Sequence, residues 1–222
     1  MSEIIVTALI TGGTGLLGAL LGFLGSVLAT RKTVTLARVQ RRYERVHDMR
    51  AEVLPTLYGN FLELFNRYRS VVTRVTQTYE VTKQQDVVGF KMLADAKTQS
   101  DRELVEINHL LEKIKTYFRE HVLWLPKEAR TTTVDLLKSL GKELGEFQRH
   151  YRKASSEFEE EAIRALSREE VEKTTEVYVE YLAALYAPSE KFGNWLNEEG
   201  NYKLQTLARC YSKVLGIEDV SF

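Results

Sequence analysis

IIVTALITGGTGLLGALLGFLGSVLA, residues 4–29, contains no charged side chain. At ~1.5 Å of rise per residue, a helix of this length spans roughly 39 Å, more than the ~30 Å hydrocarbon core of a bilayer requires. The residues before it include Glu3 and no Lys or Arg, and the apolar stretch is far longer than a signal-peptide core. The segment is therefore expected to stay attached as one transmembrane helix. All nearby positive charge follows it, so the positive-inside rule places Met1 outside and Arg31 onward in the cytoplasm, with the inner (cell) membrane as the location.

The string Thr11-Gly12-Gly13-Thr14-Gly15-Leu16-Leu17-Gly18 also has the look of a dinucleotide-binding glycine loop, and Tyr79 with Lys83 makes a Tyr-x-x-x-Lys pair. Such a loop must join a strand to a helix and be followed about twenty residues later by an acid that holds the ribose. The first acid after Glu3 is Glu44, no strand pattern follows, and glycines continue at Gly22 and Gly25. The glycines make better sense as a packing surface. Ala8, Thr11, Gly15, Gly18, Gly22, Gly25 and Ala29 alternate at spacings of three and four, which puts small residues along one face of the helix. Membrane helices associate by close backbone contact along such faces. Leu16, Leu17, Leu20, Phe23, Leu24, Val27 and Leu28 suit lipid on the other side. Thr7, Thr11 and Thr14 share a face at spacings of four and three, so their hydroxyls either wet a path or bond back to their own helix.

The same count continues through Lys32, Leu36, Val39, Tyr43, Val46, Arg50, Val53 and Leu57. A sustained 3.5-residue repeat is the pattern of a left-handed coiled coil. The expectation is one helix of about 50 residues that self-associates along this seam. The alternative is that its lower part packs on later helices of its own chain.

Lys and Arg number 31, as do Asp and Glu, so the net charge of zero points to no duplex nucleic acid partner. The distribution is uneven. Seven basic residues and two acidic ones lie between Arg31 and Arg50, leaving 24 positive and 28 negative charges from Ala51 to Phe222. The collar of Arg31, Lys32, Arg38, Arg41, Arg42 and Arg45 fits anionic lipid head groups. Repeated around a bundle, it also fits a ring that selects permeating anions or holds a nucleotide or oligonucleotide.

From Ala51 the chain reads as successive helices. Pro55 is expected to bend or cap one that carries Leu57 to Tyr79, and residues 81–100 read as a loop with a short helix. Helices follow from Asp101 to before Pro126 and from near Thr133, and Ser167 with Glu170 reads as a capping box. Pro188 is expected to end or bend the helix it opens, leaving a last docked helix in the tail. Glu157, Glu159, Glu160 and Glu161 read as a solvated face.

No catalytic motif survives its context. His47, His109, His121 and His150 are scattered, and Leu125 stands where a second metal-binding His would follow His121. Cys210 is the only cysteine; it allows no internal disulfide and reads as a small buried hydrophobe. No enzyme activity, metal or cofactor is expected.

The chain thus reads as all-α, with a transmembrane helix at 1–30, a basic juxtamembrane helix at 31–50 and a cytoplasmic helical domain at 51–222. A glycine-rich N-terminal crossing, a basic collar and a helical domain in that order resemble the small membrane effectors of bacterial anti-phage systems. The nearest is the channel effector of Hailong-type defence, whose companion nucleotidyltransferase makes the controlling oligonucleotide. The likeness is one of layout across the whole chain and carries over no individual residue. It implies a homo-oligomeric ion channel, gated through its cytosolic domain, that arrests infected cells by depolarising them. A non-conducting anchored scaffold or sensor that docks a cytosolic partner is the alternative.

Overall fold

The computed structural model describes the backbone of residues 2–84, 90–166 and 171–217, and the side chains of residue 23 and residues 26–83, 95–161 and 176–217. Five α-helices account for nearly all of it: α1 (Ser2–Gln84), α2 (Phe90–His121), α3 (Lys127–Leu166), α4 (Val171–Trp195) and α5 (Asn201–Leu215). A 3-10 turn, Val122–Trp124, joins α2 to α3, and a π turn, Leu196–Gly200, joins α4 to α5. No strand occurs among the described residues, so the fold is all-α. The chain divides into two compact units, residues 1–49 and 50–222.

The second unit is a helical bundle. From Val53 to Val75, α1 buries an apolar residue at nearly every third or fourth position, with Phe61, Phe65 and Tyr68 fully enclosed. Aromatic rings from three helices meet at Phe192 of α4. Phe147 of α3 stacks on it at 5.1 Å and 17°, and Tyr68 of α1 meets it edge-on at 5.4 Å. Trp195 lies parallel to it at 6.0 Å. Such rings bury large apolar areas and hold defined angles, which fixes how the helices face each other.

The π turn follows directly. Gly200 lies against this cluster, and a Cβ there would stand 2.9 Å from Phe65 Cε1 and 3.1 Å from the Trp195 carbonyl oxygen. Only glycine fits. The wider turn leaves the Leu196 carbonyl to accept from Arg69 of α1 at 3.4 Å. At the far end, Gly216 takes the left-handed conformation (φ 69°), and Ile217 N–H bonds back to the Ser212 carbonyl at 3.0 Å. This closes α5 with the cap that glycine allows.

Charged links tie the bundle's edges. Arg74 of α1 pairs with Glu103 of α2 at 2.7 Å, and Arg67 bridges Glu63 and Glu106. Lys97 of α2 bonds Asp101 at 2.8 Å and Glu159 of α3 at 3.2 Å, beneath the rings of Phe158 and Tyr181. Tyr151 donates to the other oxygen of Asp101 at 2.8 Å. Glu159 is thus more than part of a solvated run, although Glu157, Glu159, Glu160 and Glu161 are all exposed.

Several expected boundaries shift. The looser stretch 81–100 is largely helical: α1 runs to Gln84 and α2 starts at Phe90. α3 starts at Lys127 rather than near Thr133, immediately after Pro126, a residue well suited to a helix start. Residues 167–170, including Ser167 and Glu170, lie outside the described residues. Pro55 and Pro188 sit inside helices instead of ending or capping them. Each proline withholds an amide from the carbonyl four residues earlier. Those carbonyls belong to Ala51 and Ala184, both exposed, so water replaces the missing donor.

Candidate functional site

The candidate site is the first unit, residues 1–49, whose described residues, 2–49, all belong to α1. Thr7, Ala8, Thr11, Thr14, Gly15, Gly18, Gly22 and Gly25 fall on this helix, but their side chains lie outside the described ones. Ala29, the last small residue of the seam, is exposed. Of residues 4–29, only the side chains of Phe23 and residues 26–29 are described, and Phe23 is 67% and Leu28 60% exposed. Among the described residues no helix is long and apolar enough to cross a membrane.

The hydroxyls just below show what this helix does with threonine. Thr30, Thr33 and Thr35 donate to the carbonyls of Ser26, Ala29 and Arg31, four residues back, at 2.8, 2.9 and 2.8 Å. Their hydrogens are spent on the helix itself.

From Leu36 onward the seam has two fates. Leu36, Val39 and Tyr43 are 68%, 57% and 77% exposed. Val46 and Arg50 are half-buried, and Val53 and Leu57 are fully buried. Arg50 donates Nε to the Trp124 carbonyl oxygen at 2.9 Å, so this seam charge has a partner within the bundle. The part of the seam expected either to self-associate or to pack on its own chain therefore does the second only from about Val53 downward.

All six collar residues, Arg31, Lys32, Arg38, Arg41, Arg42 and Arg45, are exposed. Helical geometry separates them. At ~100° per residue, Lys32 falls within roughly 40° of Leu36, Val39 and Tyr43, while the five arginines spread from roughly 80° (Arg42) and 100° (Arg31) through 120–140° (Arg38, Arg45) to 180° (Arg41) away from it. The collar is a basic face opposite an apolar one, with a single lysine on the apolar side. A ring in which all six converge is incompatible with the seam facing inward.

The bundle offers no obvious reaction centre. No group of three or more His, Cys, Asp or Glu with metal-binding proximity occurs among the described residues. Cys210 is buried, and that burial pushes its thiol up, away from the thiolate a nucleophile needs. Two grooves do open, each lined by one of the helix-interior prolines. One, of about 400 Å³, lies between α3 and α4 over Phe147 and Phe192, with Pro188 in its wall. The other, of about 260 Å³ and almost wholly apolar, lies between α1 and α5 with Pro55 in its wall. Neither was found from the sequence; the available signal was a proline inside an otherwise unbroken apolar repeat. Comparison with protein-family models, with curated proteins and with solved structures gave no match for this chain.

Proposed function

We propose that the chain is a single-pass membrane protein that assembles with copies of itself along the seam of α1 and acts as an ion channel or pore-forming effector gated through its helical domain. The observation that carries this reading is the exposure of Leu36, Val39 and Tyr43, in register with the small-residue face of residues 8–29. A soluble helix with a basic face has no need of an apolar one in water. Three such side chains, buried fully, stabilise a contact by ~1.5–3 kcal/mol each. Association in solution costs ~4–15 kcal/mol. Counted over two copies the gain is of the same order as that cost and leaves a narrow net margin, and the membrane segment supports it by confining copies to one plane and adding its own close-packed face.

In this arrangement anionic lipid is the natural neighbour of Arg31. Arg45 stands roughly 24 Å along the helix from Ala29, well beyond a Debye length of ~8 Å, so lipid does not account for the lower arginines. They form the solvated outer face. α1 also supplies the buried residues Val53 to Val75 of the bundle, so a ligand or partner that alters bundle packing acts on the seam through continuous backbone. The layout fits an effector of anti-phage defence, with a nucleotide or oligonucleotide as the class of regulator.

Ion flux through the full chain in liposomes tests the proposal. Conductance that Gly18→Leu or Gly22→Leu abolishes is the expected result. Absence of flux under every nucleotide condition, together with only monomer on crosslinking, overturns it and leaves the anchored scaffold, for which the two open grooves supply docking sites.

A further inference from the structure

We infer that Lys32 forms a site for a small inorganic anion on the axis of the assembled seam, separate from the arginine face. The inference rests on the assembly proposed above and names the ligand of that same seam. Lys32 is exposed and lies one turn from Ala29 on one side and from Leu36 on the other. Arg38, Arg41 and Arg45 lie roughly 120–180° around the helix from Lys32 and Arg31 and Arg42 on its flank at roughly 80–100°, and Arg50, the only other basic residue in the seam count, is engaged with the Trp124 carbonyl.

Among the described residues Lys32 has no ion pair. No Asp or Glu occurs between Glu3 and Glu44, so the nearest carboxylate in the sequence after Lys32 is twelve residues away, about 18 Å along a helix. Its neighbours on either side of the seam, Thr33 and Thr35, have committed their hydroxyl hydrogens to the carbonyls of Ala29 and Arg31. The ammonium is therefore the one donor this level of the seam offers. When copies pack along the seam, these ammoniums converge above Leu36 and repel one another unless an anion lies among them. The small side chain of Ala29, one turn earlier, leaves room for a compact ion. Lysine suits an exchangeable ion, being a compact charge with freely rotating donors, whereas arginine's planar fork favours fixed bidentate partners.

The test uses the full chain in liposomes with Val39→Cys as a reporter. Cys210 is buried, so residue 39 provides the accessible thiol among the described residues. Disulfide formation between copies is compared in chloride and in gluconate at equal ionic strength, gluconate being too bulky for the seam. Several-fold more crosslinking in chloride is expected. Adding Lys32→Met should remove the dependence and give high crosslinking in both salts, while adding Arg41→Met should leave it unchanged. If Val39→Cys never crosslinks, the assembly reading itself fails. If it crosslinks equally in both salts, or if the chloride dependence survives Lys32→Met, the assembly stands and the anion site is wrong.

Discussion

Two stretches of α1 carry the same kind of apolar residue at the same spacing and meet opposite conditions. Between Val53 and Val75 the repeat is buried, and Phe61, Phe65 and Tyr68 have no exposure at all. Between Leu36 and Tyr43 it stands 57–77% open. Periodicity reports that a face needs covering and is silent on what covers it. The flanking chemistry differs in a way that bears on this. The lower stretch meets Glu103 and Glu106 of α2 through Arg74 and Arg67, whereas the upper stretch is backed by arginines without a partnering acidic helix. The lower face is matched by its own chain; the upper is left uncovered among the described residues.

The contrast breaks most visibly at high pH. Tyr68, Tyr151, Tyr178, Tyr181 and Tyr211 all lie in the bundle, and burial pushes each phenol well above the ordinary tyrosine range. Above pH ~10 the unfolded chain loses these protons while the folded one retains them, so stability falls as pH rises. Each contributes ~1.4 kcal/mol per pH unit, roughly 7 kcal/mol for all five. Chemical denaturation followed by circular dichroism should show the bundle's midpoint collapsing between about pH 10 and 11. Tyr68→Phe removes one of these five buried phenols, which faces Gln148, and should flatten the slope by about one fifth. A midpoint constant from pH 9 to 11.5 refutes the account.

Truncation compares the two stretches directly. Phe65→Ala should cost the bundle ~3–5 kcal/mol, as a large buried ring does when nothing refills its space. Leu36→Ala should change bundle unfolding by less than ~0.5 kcal/mol and act instead on crosslinking between copies. Equal effects on unfolding would mean the upper stretch is covered within its own chain after all.

Effects smaller than the loss of a buried ring come from two glycines. Gly200→Ala presses on the enclosed Phe65 ring and should destabilise by ~1–3 kcal/mol. Gly59, on the exposed side of α1, has nothing within 4 Å of an added Cβ. Gly59→Ala should stabilise by ~0.5–1 kcal/mol, because the helix gains alanine's lower conformational entropy cost. Thermal melts of both variants decide whether tight packing is confined to one face.

The helical character was legible because the repeats of α1, α2 and α3 place apolar residues where one face would be buried. Boundaries were less so. Lys127 to Thr132 shows a single apolar residue, Ala129, so the first turns of α3 give little periodic signal although Ala129 is fully buried. Phe90 to Gln99 bunches its apolar residues at Phe90, Met92, Leu93 and Ala94 without a sustained helical period, and so reads as loop with a short helix. Of the two outcomes expected at Pro188, an end is excluded because the helix runs on to Trp195; its cost depends on whether the Ala184 carbonyl can reach water, which spacing does not encode. In the candidate site, register alone separates Lys32 from the five arginines. The exposure of Leu36 and the engagement of Arg50 depend on distant parts of the chain and required the fold.

The π turn has a consequence for how α4 and α5 share the core. Buried residues recur at Leu185, Ser189 and Phe192 on α4 and Leu196 at the start of the π turn, and on α5 at Leu204, Leu207 and Tyr211. An unbroken α-helix through both would let the second set drift around the axis. The wider turn at Leu196–Gly200 resets the phase by absorbing an extra residue, which lets the Tyr211 hydroxyl meet Thr133 of α3 at 2.6 Å. Forcing this turn into plain α-helix at unchanged length would swing Leu204 roughly 80° around the axis from Leu196 and carry the tail's buried face off the core, whereas deleting one residue would leave the two in phase.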